Sequence, residues 1–289
     1  MKEVPVRKQA AKRHFGVHGY FTRQAWNVVQ SYIRNYTQPG DLVLDPFGGS
    51  GITAIEAMML NRKALHIDLN PMAVFITQSL IAPVDLDKFQ SAFEKIKTEY
   101  LKLEPKTKTE INAALKKYRL PKDLTLPKSS DVNSVLKLFS PKQLAQLSLL
   151  KSLIKKQKDK NIRDSLMLIF SGIITKTNLT YHISDSVKTQ TGFGGGDSAA
   201  FRYYRYRIAP SPTQIDMIKY FELRYNRVVA AKKEMEYYIN EDTIENIDVR
   251  RGTATDLSFI DDESVDYIYT DPPYGKKIPY LDLSTMWNA

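Results

Sequence analysis

Apolar residues in this chain recur at two different spacings, which separate strands from helices. Leu42-Val43-Leu44, bounded by Pro39-Gly40 and closed by Asp45, is a short run of the kind that fills a buried strand. After the glycines at 48, 49 and 51, the stretch Ile52 to Leu60 reads as an apolar helix. Arg62 to Asp68 then gives a second strand ending in an acid, and Asn70-Pro71 marks a helix start, a cap followed by proline at the first helical position. Val74, Phe75, Leu80 and Ile81 carry that helix onward. Upstream, Ala25, Trp26, Val29, Ile33 and Tyr36 repeat at helical spacing, with Thr22 as the expected cap. Strand, turn, helix and strand in this order predict an open α/β sheet.

The middle of the chain changes pattern. Residues 85–118 read as helical and Lys-rich, and Ser140-Pro141 opens a helix to about Lys156. Lys151, Lys155, Lys156, Lys158 and Lys160 at its end form either a solvated face or a nucleic-acid contact, and the first reading is the simpler. Ser211-Pro212 is expected to open a long helix to about Tyr238. The sheet resumes with Ile247–Arg251 and Ser264–Thr270 as third and fourth strands. The division is therefore a basic arm and first core segment over 1–80, a mainly helical insertion over 81–246, and the rest of the core over 247–289.

Composition adds three constraints. The chain has 289 residues, 43% hydrophobic and 26% charged, which is enough for a globular core; no apolar run is long enough for a membrane span, and no membrane partner is expected. It has no cysteine, which excludes disulfides and thiolate metal sites and fits a reducing, cytoplasmic interior. The formal charge of +10 favours a polyanionic partner such as nucleic acid, because phosphate neutralisation releases counterions. Lys2, Arg7, Lys8, Lys12 and Arg13 make a basic arm, read either as a phosphate contact or as a frayed terminus. His14 and His18 have no thiol or carboxylate set beside them in sequence, so no metal is expected.

Two segments carry candidate chemistry. In Asp45-Pro46-Phe47-Gly48-Gly49-Ser50-Gly51 the glycines let backbone approach a ligand, and the helix start beyond them is expected to offer unpaired N–H groups. Asp45 in the turn would repel a phosphate but could accept from an ammonium, and Asp68, about 20 residues on, stands where a ribose-binding acid is usual. In the insertion, the glycine loop within 189–197 precedes Arg202, Tyr203, Tyr204, Arg205, Tyr206 and Arg207. Arginines can fork onto phosphates or guanine edges and tyrosines can stack on bases. The same alternation also reads as a strand with a buried tyrosine face and a wet arginine face, and the two readings are compatible. Arg202, Tyr203, Arg205 and Arg207 are the candidate nucleic-acid contacts.

The glycine segment together with Asp271-Pro272-Pro273-Tyr274 at a strand end resembles the S-adenosylmethionine-dependent amino-methyltransferases of nucleic acids. The resemblance covers residues 14–80 and 247–282; 81–246 resembles no family, and its position matches members that insert a target-recognition region there. It implies a Rossmann-like methyltransferase sheet and S-adenosylmethionine as cofactor, held by Asp45, Pro46, Phe47, Gly48, Gly49, Ser50, Gly51 and Asp68, with Asp256 at the adenine ring. Tyr20, Phe21 and Thr22 would close over the methionine part. It further implies that Asp271 and the Pro272 carbonyl accept the hydrogens of an exocyclic amine and localise its lone pair. Pro272 and Pro273 would stiffen that segment, and Tyr274 would stack on a base rotated out of duplex DNA. Asp at 271 leans toward adenine N6 over cytosine N4. Two other readings stay open: an RNA methyltransferase acting on a guanine amine, and a non-catalytic DNA-recognition subunit. Family members continue past the catalytic strand with further strands, whereas this sequence has fifteen residues after Tyr274. The expectation is an incomplete core, either one half of a split enzyme that a second chain completes or a truncated product, and no activity for this chain alone.

Overall fold

The computed structural model describes residues 4–6, 14–183, 199–273, 275 and 277–289. In chain order the elements are α1 (Trp26–Tyr36), β1 (Leu42–Asp45), α2 (Ile52–Met58), β2 (Lys63–Asp68), α3 (Pro71–Ile81), α4 (Leu86–Leu103), α5 (Lys108–Lys117), α6 (Pro141–Lys155), α7 (Lys160–Ile174), α8 (Ala199–Arg202), α9 (Met217–Met235), β3 (Ile247–Arg251), β4 (Tyr267–Ile268), α10 (Tyr280–Leu283) and α11 (Thr285–Asn288). They fall into two compact units, Met1–Pro83 with Arg227–Ile278, and Val84–Asn226 with Pro279–Ala289. No helix of the described residues is long and apolar enough to cross a membrane.

The first unit holds a parallel four-stranded sheet in the order β3-β2-β1-β4, an α/β architecture as the alternating pattern predicts. Side chains alternate across β2: Leu65 and Ile67 join Leu44 in an apolar cluster with Leu42, Leu257, Ile260 and Val265, while Ala64 and His66 point to the other face. All seven residues of α2 are buried. Asn70 caps α3 by accepting from the Met72 amide. Two boundaries differ from the sequence reading. Ala25, not Thr22, stands at the N-cap of α1. The fourth strand shortens to two residues, although the Asp266 amide bonds to the Leu42 carbonyl and the Tyr269 amide to that of Leu44, so the pairing with β1 runs past both ends.

The second unit is helical. The 85–118 stretch divides because Pro105 cannot continue α4, and Thr107 with Glu110 then forms a capping box that starts α5. Ser140 and Gln143 cap α6 in the same way. Ile162, Leu166, Ile169, Phe170 and Ile173 make the apolar face of α7, a helical repeat the sequence reading passed over. The long helix starts at Met217 rather than after Ser211-Pro212, because the Thr213 amide is tied to the Tyr181 carbonyl and its hydroxyl accepts from the Ile183 amide. Phe93 stacks on Tyr225 with ring centroids 3.9 Å apart, beside Phe221 and Phe89. The buried Tyr206 hydroxyl donates to the Leu283 carbonyl and accepts from the Met286 amide, which fixes α10 and α11 within this unit.

Candidate active site

Because all four strands are parallel, their carboxyl ends share one edge of the sheet. Asp45, Asp68, Asp256 and Asp271 lie at or just beyond those ends. The chain leaves β1 toward β2 and β3 on one side and returns as β4 on the other, so the β1/β4 crevice is the topological switch point, where ligands of open α/β sheets bind.

The glycine turn packs against its neighbours. The Gly48 amide donates to the Ile67 carbonyl (2.9 Å) and the Gly49 amide to Asp68 Oδ2 (2.8 Å), so these two donors face β2. A Cβ at Gly48 would lie 2.1 Å from His66 Nδ1, and one at Gly51, where φ is +83°, would lie 2.6 Å from the Thr77 hydroxyl. Close approach of β2 and α3 demands both glycines. The Tyr20 ring covers Gly49 from outside, and its hydroxyl accepts from Asn70 Nδ2 (3.4 Å). Tyr20 and Phe21 are buried and in ring contact; Thr22 and Phe47 are exposed, and Pro46 and Ser50 are half-buried.

Two carboxylates meet here. Asp45 is 5% exposed; its Oδ1 accepts from the Phe47 amide (3.1 Å) and the Thr270 hydroxyl (3.0 Å), and its Oδ2 from the Thr53 hydroxyl (2.7 Å). Burial pushes its pKa up to about 6 against these three donors, with Asp68 adding to the rise. Asp68 is also raised by burial, opposed by the Asn70 and Gly49 amides that it accepts from. A site with two desolvated carboxylates suits a ligand that brings an ammonium and hydroxyls, not one that brings phosphate.

On the β4 side, Asp271, Pro272 and Pro273 are exposed, and Tyr274 lies outside the described residues. Tyr269 has its pKa pushed up to about 12, first by burial and then by Tyr267, Tyr32, Asp271 and Asp45, so both acids bear on one phenol. Asp256 is exposed on the loop after β3 and accepts from the Ser258 amide and hydroxyl (3.2 and 2.8 Å), which lowers its pKa. Sequence reasoning missed Thr270, Thr53 and His66, none of which has a local signature. His14 pairs with the buried Glu56 (2.8 Å), and no group of the described residues is arranged to hold a metal ion.

In the second unit the Arg/Tyr segment is not a strand. Its first residue, Arg202, ends α8, and Tyr204 takes a left-handed φ of +50°, which breaks any alternation. Arg205 pairs with Asp131 (2.7 Å) and Tyr206 is fully buried. Arg202 lies over the Tyr203 ring (5.4 Å), and Tyr203 and Arg207 are exposed. The glycine loop at 189–197 lies outside the described residues.

Residues 4–79 match the DNA methylase family of the N6/N4 type. In that segment the chain is similar to DNA methylases of the N6/N4 type. It is 21% identical to Type II methyltransferase M.MjaII of Methanocaldococcus jannaschii over 94% of this chain and 61% of that protein. It is 44% identical to Type II methyltransferase M.EcaI of Enterobacter cloacae over 18% of this chain and 12% of that protein. The chain thus spans about three fifths of the first relative and a short part of the second. The fold is the Rossmann-like sheet of such methyltransferases, with helices added in the second unit.

Proposed function

We propose that this chain is the cofactor-binding and catalytic-motif part of a DNA methyltransferase that acts on an exocyclic base amine, adenine N6 in preference to cytosine N4. The observation that carries this reading is the placement of Asp45 and Asp271 at adjacent strand ends across the switch point. When bound, S-adenosylmethionine supplies the methyl group. Asp45 accepts from its ammonium, Asp68 from the ribose hydroxyls, and Tyr20 and Phe21 wall its methionine end. Asp256 stands toward the adenine. Asp271 and the Pro272 carbonyl accept hydrogen bonds from the two amine hydrogens and so aim the lone pair, and Tyr274 stacks on the extruded base. Arg202, Tyr203 and Arg207, with Arg205 when released from Asp131, contact the duplex.

Exposure of Asp271–Pro273 and of Ile268 (56%) on the outer edge of β4 supports a further claim. Methyl transfer needs additional polypeptide over that edge, because an open edge leaves the motif exposed to water. The test is calorimetric titration with S-adenosylmethionine, followed by transfer of labelled methyl to duplex DNA and to RNA, with and without the product of a neighbouring reading frame. The expected result is cofactor binding by the chain alone, weakened about tenfold or more by Asp68→Ala, and transfer to DNA adenine only with the second polypeptide. A wild-type chain that binds no cofactor overturns the assignment. Transfer to RNA alone moves it to the RNA enzymes, and turnover by the isolated chain removes the need for a partner.

A further inference from the structure

We infer that Thr270 is a positioning residue that makes the placement of Asp271–Pro273 depend on the charge of Asp45, and so on cofactor occupancy. This rests on the proposed function and concerns how its two halves communicate. The Thr270 hydroxyl donates to Asp45 Oδ1 across the β1/β4 crevice, joining residues 225 positions apart in the chain. That same oxygen accepts from the Phe47 amide in the glycine turn, and Oδ2 holds Thr53 at the start of α2. One carboxylate thus ties the turn, α2 and the residue immediately before Asp271. The ladder with β1 reaches the Tyr269 amide, and the prolines at 272 and 273 bring no N–H that could extend it. The Thr270 bond therefore falls where regular pairing stops and the catalytic segment begins.

The strength of this bond follows the charge on Asp45. A hydrogen bond to an ionised carboxylate is about twice as strong as a neutral one. The groups facing Asp45 are His66 and Asp68 on β2, Thr53 on α2 with Glu56 a turn further on and engaged by His14 and Gln30, and Tyr269 and Thr270 on the β4 side, with Asp271 also bearing on Tyr269. His66 is fully buried and held neutral by burial, and Asp68 only raises the cost of a charge on Asp45. An arriving ammonium supplies the compensating cation, fixes Asp45 as the carboxylate and strengthens its hold on Thr270. The segment that receives the base is then held more firmly when the methyl donor is in place.

The experiment compares wild type, Thr270→Val and Thr270→Ser in two readouts. One is S-adenosylmethionine affinity from pH 5 to 8 by calorimetry. The other is amide hydrogen exchange of residues 266–273 with and without cofactor. Thr270 is exposed, so the isosteric valine is expected to fold, which thermal melting checks. In wild type the affinity falls as pH drops through the Asp45 titration, and cofactor slows exchange at 269–271. The valine variant binds roughly tenfold more weakly at pH 7, moves the affinity midpoint to higher pH and loses the cofactor-dependent protection; serine restores both. Protection that survives in the valine variant overturns the inference, even if binding weakens. Cofactor binding by wild type without any exchange response overturns it as well and leaves the proposed function standing. Absence of binding by folded wild type overturns both.

Discussion

His66 and Asp45 are neighbours across β1 and β2, and burial moves their titrations past one another. His66 has neither ring nitrogen hydrogen-bonded, and its pKa falls to about 4 through desolvation. Its neutral form is favoured in the fold, so its contribution to stability is complete above pH 6.5 and is lost as pH falls through about 4. Asp45 behaves oppositely. Its contribution is complete below pH 3.8 and is lost as pH rises through about 6. Each effect is worth roughly 3 kcal/mol at most, so the two nearly cancel between pH 4 and 6. Urea midpoints of wild type should therefore change little over that window. His66→Leu should instead gain stability as pH falls from 6 to 4; an unchanged acid limb in that variant would show that His66 is not the buried neutral group.

At the scale of elements, the starts and stops that short-range chemistry controls were readable. The Asn70 and Ser140 caps and the Ile247–Arg251 strand stand where the sequence puts them. The failures came where a contact distant in the chain overrode a local sign. The Tyr181 carbonyl keeps Thr213 out of the helix that Ser211-Pro212 announces, and Tyr204 turns a region of apparent alternation. The end of α3 shows a further dependence on distant residues. Lys232 on α9, itself buried, donates from Nζ to the carbonyls of Ser79 (3.1 Å), Leu80 (3.1 Å) and Ala82 (2.7 Å). Burial pushes its pKa down to about 7, while three acceptors at a helix C-terminus favour the charged form. Lys232→Met should cost about 2–3 kcal/mol because it strands those carbonyls, whereas Lys233→Met, an exposed neighbour, should stay within about 0.5 kcal/mol. Equal urea midpoints for the two variants would remove the clamp.

For the whole molecule, the +10 charge and the exposed cations of the second unit raise the question of where the polyanion binds. Arg202 and Arg207 are exposed, while Arg205 is engaged by Asp131. The double variant Arg202→Ala/Arg207→Ala should weaken duplex binding and flatten the slope of log affinity against log salt by about 2, near one unit per lost phosphate contact. Arg205→Ala should change the slope less. A titration series with the same slope for the double variant and wild type would return these arginines to a structural role.

The order of strand, glycine turn, helix, strand and acid was legible in the chain, as was the strand-end position of Asp271–Pro273, because each depends on residues within a turn or two of one another. Hydrophobic spacing shows that a segment is a strand; it does not say which strand lies beside it. That choice came from the crossover connections, which lay β4 against β1 and so bring Thr270 to Asp45. The same non-local packing seats His66 beneath Gly48 and turns the Gly48 and Gly49 amides toward β2. The site's residue types are therefore written locally, but their partners and their charge states come from burial and from chain segments far apart, which no local pattern encodes.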